Sequence, residues 1–417
     1  MQKNKQESER LLERFLHYVS YDTQSKFGAK SSPSSQGQLR LAKHLQQELF
    51  ALGLEEIELS KQGILTAFLP SNVTPKAPTI GFIAHLDTSP QCNGKHIKAE
   101  VIENYRGGDI ALGIGEEFIS PVYYPFLQKL IGKTLIVSDG NSLLGANNKA
   151  GIAEILTALE MLITQNIPHC NIRLAFIPDK EIYQGMNFFP WDKFSCDWAY
   201  TVAGGEVGEL ECENFHAANA VVTIHGRNMH TGAAKGRMIN ALALACEFQQ
   251  GFPPDEVPEK TNDREGFFHL ANFIGDLERV ELHYLIRDFS DVNFEQRKAF
   301  LTMLVVDFNR HKKLRQKVEL SITDQYSNMY DCIKKVPQSV FLAEKAIKAS
   351  GIEPIHKVCR GGTLGAKVAE KGIACPNIFS GGYNFNSKHE LITLEGMQDA
   401  THVLVQICRL AIEMMKM

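Results

Sequence analysis

Histidine and acidic side chains follow several of the strands that the sequence predicts, and these residue types suit a metal site or acid–base chemistry. In open α/β sheets, ligands bind beyond the carboxyl ends of the strands, so these positions are the first candidates for a site. A single histidine at such a position is more often a packing or solvent-facing residue, and only the whole set indicates chemistry. The set comprises His85 and Asp87, Asn147 and Asn148, Asp179, Lys180 and Glu181, Ala203, and His389 and Glu390.

Strands and helices alternate through most of the chain. Short apolar runs at 79–84, 171–177 and 198–202 predict buried strands, and the segment 151–163 predicts a helix after a glycine-containing turn. This alternation is typical of an α/β domain with a mixed, largely parallel sheet. Such a sheet would position the candidate residues at its carboxyl edge.

The pattern changes near residue 214 and resumes near residue 325. Between these points, predicted strands at 220–224, 283–287 and 318–323 are combined with two predicted helices. The chain has 417 residues, which is too long for one ordinary core. We therefore expect a catalytic-type α/β domain in two parts, residues 1–214 and 326–417, interrupted by a smaller α+β insert at residues 215–325.

The composition argues against several classes of partner. Hydrophobic residues make up 44% and charged residues 22% of the chain, as in ordinary globular proteins. The formal charge of −4, without a basic block, gives no reason to expect nucleic-acid binding, and no apolar stretch is long enough for a membrane span. The polar N-terminus lacks the apolar core of a signal peptide, and nine scattered cysteines indicate reduced thiols. We expect a cytoplasmic protein.

Several stretches match one family of metallopeptidases. They lie between residues 11 and 397 and include LLERFLHYVSYDTQS, GFIAHLDTSP, VIENYRGGDIALGIG, LLGANNKAGIAEI, HYLIRDF, RGGT and TLEGM. On these stretches the chain resembles the peptidase T family of two-zinc tripeptide aminopeptidases. The third stretch is typical of that family rather than of the wider clan of two-zinc exopeptidases. The resemblance implies a zinc-aminopeptidase-like catalytic domain with a lid and dimerisation insert.

The resemblance also implies a metal site. The family holds two zinc ions with two histidines and three carboxylates, one of which bridges the ions, and a glutamate serves as general base. By position, His85 matches the first histidine ligand and Asp87 the acid that orients it. Glu181 matches a terminal carboxylate ligand, and His389 matches the last histidine. We interpret these four residues as remnants of that site.

The other key positions carry different residues. Asn147 is neutral where the resemblance implies the bridging aspartate, and Asn148 replaces the aspartate that follows it. Lys180 is a cation at the position of the general base, and Ala203 has no donor atom at the position of the third carboxylate ligand. Leu364 replaces an acid in RGGTLGA. No catalytic group of the family is therefore predicted to be intact.

The replacements also change the charge of the site. Of the five carboxylates that the resemblance implies, Asp87 and Glu181 remain, and Lys180 adds a positive charge, so the formal charge rises by the charge of two zinc ions. We expect Lys180 to pair with Glu181 or Asp87 and to stand in for metal, although chance loss of the acids would give the same count. A separation above about 6 Å between Nζ and both carboxylates would contradict the pairing.

The resemblance is better preserved for substrate binding. His230, Asn240 and Arg287 match insert residues that bind substrate, and the arginine would hold the peptide carboxylate. The histidine would reach the reacting carbonyl across a homodimer formed through the insert. Arg360, in another glycine-rich turn, is a further candidate. Passive retention of a folded surface is the alternative, and the motif departs from the family at two positions after His230.

Together these features predict a peptidase T-like pseudoenzyme, an inactive homologue with no cofactor or at most one weakly held zinc ion. Its role is left open, and small peptides, or a true peptidase T as a partner subunit, are candidates. One alternative is an altered metal-dependent tripeptide aminopeptidase with one ion held by His85, Glu181 and His389. The difficulty is that the family divides these ligands between two ions. Another alternative is a structural protein without a ligand.

Overall fold

The computed structural model describes residues 2–73, 78–114, 117–312 and 318–414. Within these ranges the helices are α1 (Gln2–Val19), α2 (Gln36–Ala51), α3 (Lys149–Thr164), α4 (Ala241–Gln249), α5 (Asp291–Lys312), α6 (Tyr330–Ile333), α7 (Gln338–Ala349), α8 (Leu364–Ala369) and α9 (Leu394–Met414). The strands are β1 (Glu55–Leu59), β2 (Leu65–Leu69), β3 (Thr79–His85), β4 (Ala99–Ile102), β5 (Ile110–Leu112), β6 (Glu117–Ile119), β7 (Leu135–Ser138), β8 (Asn171–Ile177), β9 (Trp198–Val202), β10 (Glu209–Asn214), β11 (His216–His225), β12 (Phe267–Gly275), β13 (Arg279–Asp288), β14 (Glu319–Tyr326), β15 (Ile355–Cys359), β16 (Asn377–Ile378), β17 (Gly382–Tyr383) and β18 (Leu391–Thr393).

The chain divides into two compact units. Unit 1 comprises Met1–Cys212, Cys332–Lys357 and Lys371–Met417, and unit 2 comprises Glu213–Asp331 and Val358–Glu370. The insert predicted at 215–325 lies within unit 2. The segment 358–370, which the sequence analysis placed in the second part of the α/β domain, belongs to unit 2 because Val358 packs against the aromatic cluster around Phe215.

An eight-stranded sheet with the order β1-β2-β8-β3-β9-β16-β10-β15 forms the centre of unit 1. Strand β3 pairs in parallel with β8 and β9, and β9 pairs in parallel with β16. The outer pairs β1–β2, β2–β8 and β10–β16 are antiparallel. Strands β3, β8 and β9 are buried along almost their whole length, as expected of parallel strands covered on both faces. The predicted α/β class with a mixed, largely parallel sheet is confirmed.

Helix α3 links the candidate turns to this sheet. Its sequence is rich in alanine, leucine and isoleucine, and most of its residues are buried. It packs against α1, α9, β3 and β9. A Cβ atom added at Gly151 would lie 2.0 Å from the carbonyl oxygen of Val202, so glycine permits the close approach of α3 to the end of β9.

A second sheet in unit 1 has the order β17-β18-β7-β4, and β5 pairs with β6 in a separate hairpin. Apolar side chains from β5, β6, β7 and β18 pack in one cluster that includes Ile110, Ile119, Val137 and Leu391. This packing holds the β5–β6 hairpin close to the segment that precedes β18, where His389 lies.

Unit 2 contains an antiparallel sheet with the order β12-β13-β11-β14. Alternate residues of β13, from Val280 to Ile286, are buried because side chains of a strand alternate between the two faces of a sheet. They form a core with residues of α4 and α5, including Ala245 and Leu301.

The predicted secondary structure agrees best where apolar runs are long. Strands β8 and β9 have the predicted limits, and α3 extends the predicted helix by a few residues. The short strands β1, β4, β5 and β6 are not predicted, because three to five residues with mixed exposure give no clear periodicity. In the described part of the chain, no helix combines the length and apolar character that a membrane span requires.

Candidate active site

His85 is the last residue of β3, and its imidazole is buried inside unit 1. Its Nδ1 lies 3.2 Å from Oδ1 of Asp87, and since a carboxylate only accepts, Nδ1 carries the proton in this pair. In the neutral imidazole Nε2 then has a free lone pair, yet it is buried and has no hydrogen-bond partner among the residues that the structure describes. Oε1 of Glu181 lies 3.9 Å from Nε2, beyond hydrogen-bonding distance. An imidazole oriented by a carboxylate, with its second nitrogen unused, has the arrangement of a metal ligand.

Asp87 connects the end of β3 to the turn that follows β8. Its Oδ1 accepts a hydrogen bond of 3.0 Å from the backbone N–H of Lys180, and its Oδ2 accepts one of 2.9 Å from that of Glu181. The structure therefore brings four of the predicted residues together. We call His85, Asp87, Lys180 and Glu181 the inner cluster.

The Lys180 side chain pairs with Glu181, as predicted. Nζ lies 2.8 Å from Oε1 of Glu181, well within the limit set for the pairing. Burial alone would lower the pKa of the Lys180 ammonium, but the charges of Glu181 and Asp87 raise it above its ordinary value of 10.5. Burial would raise the pKa of Glu181, but Lys180 and His85 lower it below 4.5. Both side chains are therefore charged near neutral pH.

Asp179 anchors the turn that carries this pair. It adopts a φ of +55°, which is unusual for a residue other than glycine. Its buried carboxylate accepts hydrogen bonds from Ser32 Oγ, from the N–H and Oγ of Ser34, and from Gln38 Nε2. These bonds offset the backbone strain and fix the position of Lys180. The local sequence gives no sign of this role of Asp179, because its partners lie more than 140 residues away.

The turn before α3 places Asn147 beside the inner cluster. Nδ2 of Asn147 lies 3.4 Å from Oε1 of Glu181. The buried carboxylate of Glu390 accepts hydrogen bonds from three backbone N–H groups of the turn 144–147. Burial raises the pKa of Glu390 to about 7, although these N–H groups act in the opposite direction. Glu390 supports this turn, a role that the sequence did not reveal.

Ala203 begins the turn after β9 and presents only a methyl group. In the same turn, Gly204 has a φ of +72°, and a Cβ atom added there would lie 3.3 Å from Oδ1 of Asn147. Ala203, at the position of the third carboxylate ligand, thus lies in a turn next to Asn147, at the position of the bridging ligand. Neither residue supplies a carboxylate. Asn148 donates instead to the backbone carbonyl of Leu86, at 3.1 Å.

His389 lies in a second group, which we call the outer cluster: Glu117, Tyr124, Lys388 and His389. Nδ1 of His389 is 2.8 Å from the hydroxyl of Tyr124, and Nε2 is 3.4 Å from Oε2 of Glu117. Lys388 Nζ is 3.7 Å from Oε1 of Glu117. Both ring nitrogens of His389 therefore face the outer cluster. Tyr124 and Glu117 were not predicted, and nothing in their local sequence indicates the contact.

The donors present do not fit a pair of zinc ions. Within residues 2–73, 78–114, 117–312 and 318–414, no three His, Cys, Asp or Glu side chains are grouped so as to hold a metal ion. Asn147 cannot bridge as a carboxylate does, and the Lys180 ammonium lies against Glu181. His85 Nε2 and Glu181 Oε1 are 3.9 Å apart, within the combined length of a Zn–N and a Zn–O bond of about 2.0–2.2 Å each. These two donors lie within reach of the same ion.

Two arginines proposed for substrate binding lie in unit 2. Arg287 is largely buried, and its guanidinium donates hydrogen bonds of 3.0 Å to the backbone carbonyls of Ala218 and Ile286. Arg360 donates to backbone carbonyls of the segment 261–265. Both guanidinium groups therefore hold backbone within unit 2, and their substrate roles stay predictions.

His230 and Asn240 also lie in unit 2, where His230 caps a short 3-10 helix, Thr231–Ala233, and Asn240 caps α4. Nδ1 of His230 accepts from the N–H of Gly232, and Oδ1 of Asn240 accepts from the N–H of Ala243 at the start of α4. The Asn240 cap explains where α4 begins. Neither contact tests the predicted contribution to substrate binding.

Comparison with known proteins gives close relatives over almost the whole chain. The peptidase T of Pasteurella multocida (strain Pm70) is 67% identical over 408 residues, which cover 98% of this chain and 99% of the relative. The peptidase T of Haemophilus influenzae (strain 86-028NP) is 65% identical over 399 residues, or 96% and 97% of the two chains. Residues 212–315 match the peptidase dimerisation domain of the M20 class.

Solved structures share the fold at low identity. An aminopeptidase PepT from Bacillus cereus is 20% identical with a TM-score of 0.76, covering 97% of this chain and 98% of that one. The YXEP protein of Bacillus subtilis, described as a dinuclear metal-binding peptidase of the M20 family, is 11% identical with a TM-score of 0.67, covering 98% and 99%.

These relatives correct one prediction of the sequence analysis. The expectation that the chain is not an enzyme is wrong, because chains 65–67% identical to it over at least 96% of its length are peptidases T. The wrong expectation rested on the replaced groups of the metal site alone, whereas the identity to peptidases T extends over nearly the whole chain. The chain belongs to the peptidase T family of M20 metallopeptidases.

Proposed function

We propose that this chain is a tripeptide aminopeptidase that works with a reduced metal site of one ion. One observation carries the proposal: within the described part of the chain, His85 Nε2 is buried without a hydrogen-bond partner, and it lies 3.9 Å from Glu181 Oε1. Burying a polar nitrogen without a hydrogen bond costs about 1–3 kcal/mol, and an ion bound there would remove this cost. Membership of the peptidase T family supports the reaction class.

His85 and Glu181 would hold the ion, and His389 would join them only if its bonds in the outer cluster were broken. A bound zinc ion supplies Lewis acidity and lowers the pKa of a coordinated water molecule towards 7. Asp87 keeps the proton of His85 on Nδ1, so that Nε2 presents its lone pair. The elevated pKa of Lys180 keeps its ammonium protonated, so Nζ can donate to a carbonyl oxygen but cannot act as a general base.

Substrate and assembly are part of the same proposal. The substrates are short peptides, bound with the help of His230, Asn240, Arg287 and Arg360 of unit 2. The match of residues 212–315 to the dimerisation domain supports a homodimer formed through this unit. The proposal also includes the cytoplasmic location that the cysteine pattern predicts.

The test combines metal content with turnover. The full chain, purified in zinc-supplemented buffer, should contain about one zinc ion per chain, and a tripeptide panel should show release of the amino-terminal residue. His85→Ala should abolish both, whereas His96→Ala, at a histidine with an 87% exposed side chain, should change neither. Absence of tripeptide cleavage by the zinc-loaded wild type would end the proposal.

Restoring the family's acids provides a second arm. The triple variant Asn147→Asp, Lys180→Glu and Ala203→Asp should hold a second ion and gain turnover. An increase of about 100-fold is expected, since one lost electrostatic group costs about that factor. A triple variant that binds two ions without any gain would show that the wild-type reaction does not depend on the number of metal ions.

A further inference from the structure

The Lys180 ammonium lies among the charged groups of the inner cluster rather than in solvent. Nζ is 2.8 Å from Oε1 of Glu181, and the exposed fractions of the two side chains are only 20% and 11%. Asp87, which is fully buried, binds the backbone N–H groups of both residues. One cation therefore lies against the Glu181 carboxylate, in a largely enclosed space that also contains the Asp87 carboxylate.

Hydrogen bonds fix the backbone at and before Lys180. Asp87 holds the backbone of Lys180 on one side, and on the other Asp179 is held by four hydrogen bonds from Ser32, Ser34 and Gln38. The lysine side chain thus starts from a fixed backbone position. By contrast, the pair of Lys193 with Glu58 is on the surface, with side chains 43% and 55% exposed.

The charge of the cluster requires a cation. Two carboxylates enclosed without a counter-charge are costly, and proteins pair such groups or bind metal with them. In the family, metal ions meet this need. Here an ammonium group meets it from within the chain, and a divalent ion approaching Glu181 meets a positive charge already in place.

We propose that the Lys180 ammonium is a resident counter-cation of the inner cluster, which takes the electrostatic place of one of the family's two metal ions. It makes the cluster stable without metal and limits it to one weakly bound ion. The second part rests on the one-ion site of the proposed function, whereas the first part does not.

A double-mutant cycle on the metal-free full chain tests the first part. The variants are Lys180→Met, which keeps the length of the side chain without its charge, Glu181→Gln, and the two combined, with Lys193→Met as the control at an exposed pair. We expect Lys180→Met to lower Tm by about 3 °C or more, because it leaves a buried carboxylate unpaired. In the Glu181→Gln background the same change should have less than about a third of that effect. Lys193→Met should leave Tm unchanged.

Zinc titration of the same proteins tests the second part. Lys180→Met should bind zinc at least about tenfold more tightly than the wild type, because the repulsion is removed. Lys180→Arg keeps the charge and should resemble the wild type in Tm and in zinc affinity. If Lys180→Met does not fold, a folded double variant together with a wild-type-like Lys180→Arg supports the inference, and an unfolded double variant overturns it.

The outcomes separate this inference from the proposed function. A loss of Tm in Lys180→Met with no zinc bound to any variant supports the counter-cation and defeats the one-ion enzyme. If the wild type binds zinc and cleaves tripeptides, and Lys180→Met changes neither Tm nor zinc affinity, the one-ion enzyme is supported and the counter-cation is overturned. Two zinc ions on the wild type would overturn the inference outright.

Discussion

The inner and outer clusters each contain one of the two histidines that the family uses as ligands, but their surroundings differ. His85 is 1% exposed, one nitrogen faces Asp87, and no described residue forms a hydrogen bond with the other. The His389 side chain is 27% exposed, and its two nitrogens face Tyr124 and Glu117. The same residue type is thus available as a donor in one cluster and already engaged in the other. The contacts around a histidine decide its role more than its place in a motif.

Burial also makes the two clusters unequal in energy. In the inner cluster, removal of one charge leaves another in a low-dielectric space, whereas the charges of the outer cluster are partly solvated. Substitutions can test this contrast, and those that remove a buried group should have the greatest consequence.

Asp87→Ala should have the largest effect on stability. It leaves the Nδ1 proton of His85 and the N–H groups of Lys180 and Glu181 without their acceptor, and we expect a loss of about 3–5 kcal/mol. Glu117→Ala in the outer cluster should cost less than about 1 kcal/mol. Urea unfolding of the two variants gives both free energies. Equal losses would remove the energetic difference between the clusters.

His85→Gln and His389→Gln should differ in zinc affinity. We expect at least a tenfold loss for His85→Gln, since even an indirect partner of a metal ligand is worth about 10–100-fold. His389→Gln should change the affinity less than about threefold, because its nitrogens face other groups. Titration against a competing chelator measures both. A comparable loss at His389 would mean that it turns towards the ion and that the two histidines are equivalent.

Glu154→Gln tests how a buried carboxyl group that lacks a partner like Lys180 affects the pH dependence of stability. Glu154 in α3 is fully buried, and neither carboxyl oxygen has a hydrogen-bond partner in the ranges that the structure describes. Burial raises the pKa of Glu154 well above 4.5. The folded state then keeps a proton that the unfolded state releases, so stability falls as pH rises from 4.5 towards the folded pKa. Relative to the variant, the wild type should lose up to about 1.4 kcal/mol per pH unit in that window.

The measurement is urea unfolding of wild type and Glu154→Gln at several pH values between 4 and 9. Glutamine keeps the size of the side chain and cannot titrate. If the stabilities of the two proteins changed with pH in parallel, Glu154 would have a partner in solution. It would then not serve as an unpaired carboxyl to compare with Glu181.

Tyr124→Phe should have the smallest effect. It removes the hydroxyl that faces Nδ1 of His389, in a contact that is only partly buried. A loss below about 1 kcal/mol in the free energy of unfolding is expected. A loss as large as that of Asp87→Ala would place the outer cluster in the same energetic class as the inner one.

Much of the inner cluster can be predicted from sequence. His85 and Asp87 follow a clear apolar strand, Lys180 and Glu181 follow another, and parallel strands bring such residues to one edge. The charge count also predicted that Lys180 pairs with Glu181 or Asp87, and the structure shows the pair with Glu181. The error lay in the step from replaced residues to lost activity, which the close relatives overturn.

Other features of the site could not be predicted. Glu390 accepts from a turn almost 250 residues earlier in the chain, and His389 faces Tyr124 across a similar separation. No local pattern encodes such contacts, because they arise when separate elements pack. The hydrogen bonds that fix Asp179 are of the same kind.

The sequence alone determined which donors and charges this protein has: a lysine among the remaining acids, an amide at the bridging position, and a methyl group where a ligand would stand. The packing of distant elements determines how they are used. Among the residues that the structure describes, Nε2 of His85 is buried without a hydrogen-bond partner, His389 faces Tyr124 and Glu117, and Lys180 pairs with Glu181. The reason is that composition fixes charge, whereas distance and burial determine what that charge binds, and both depend on how strands and turns far apart in the chain come together.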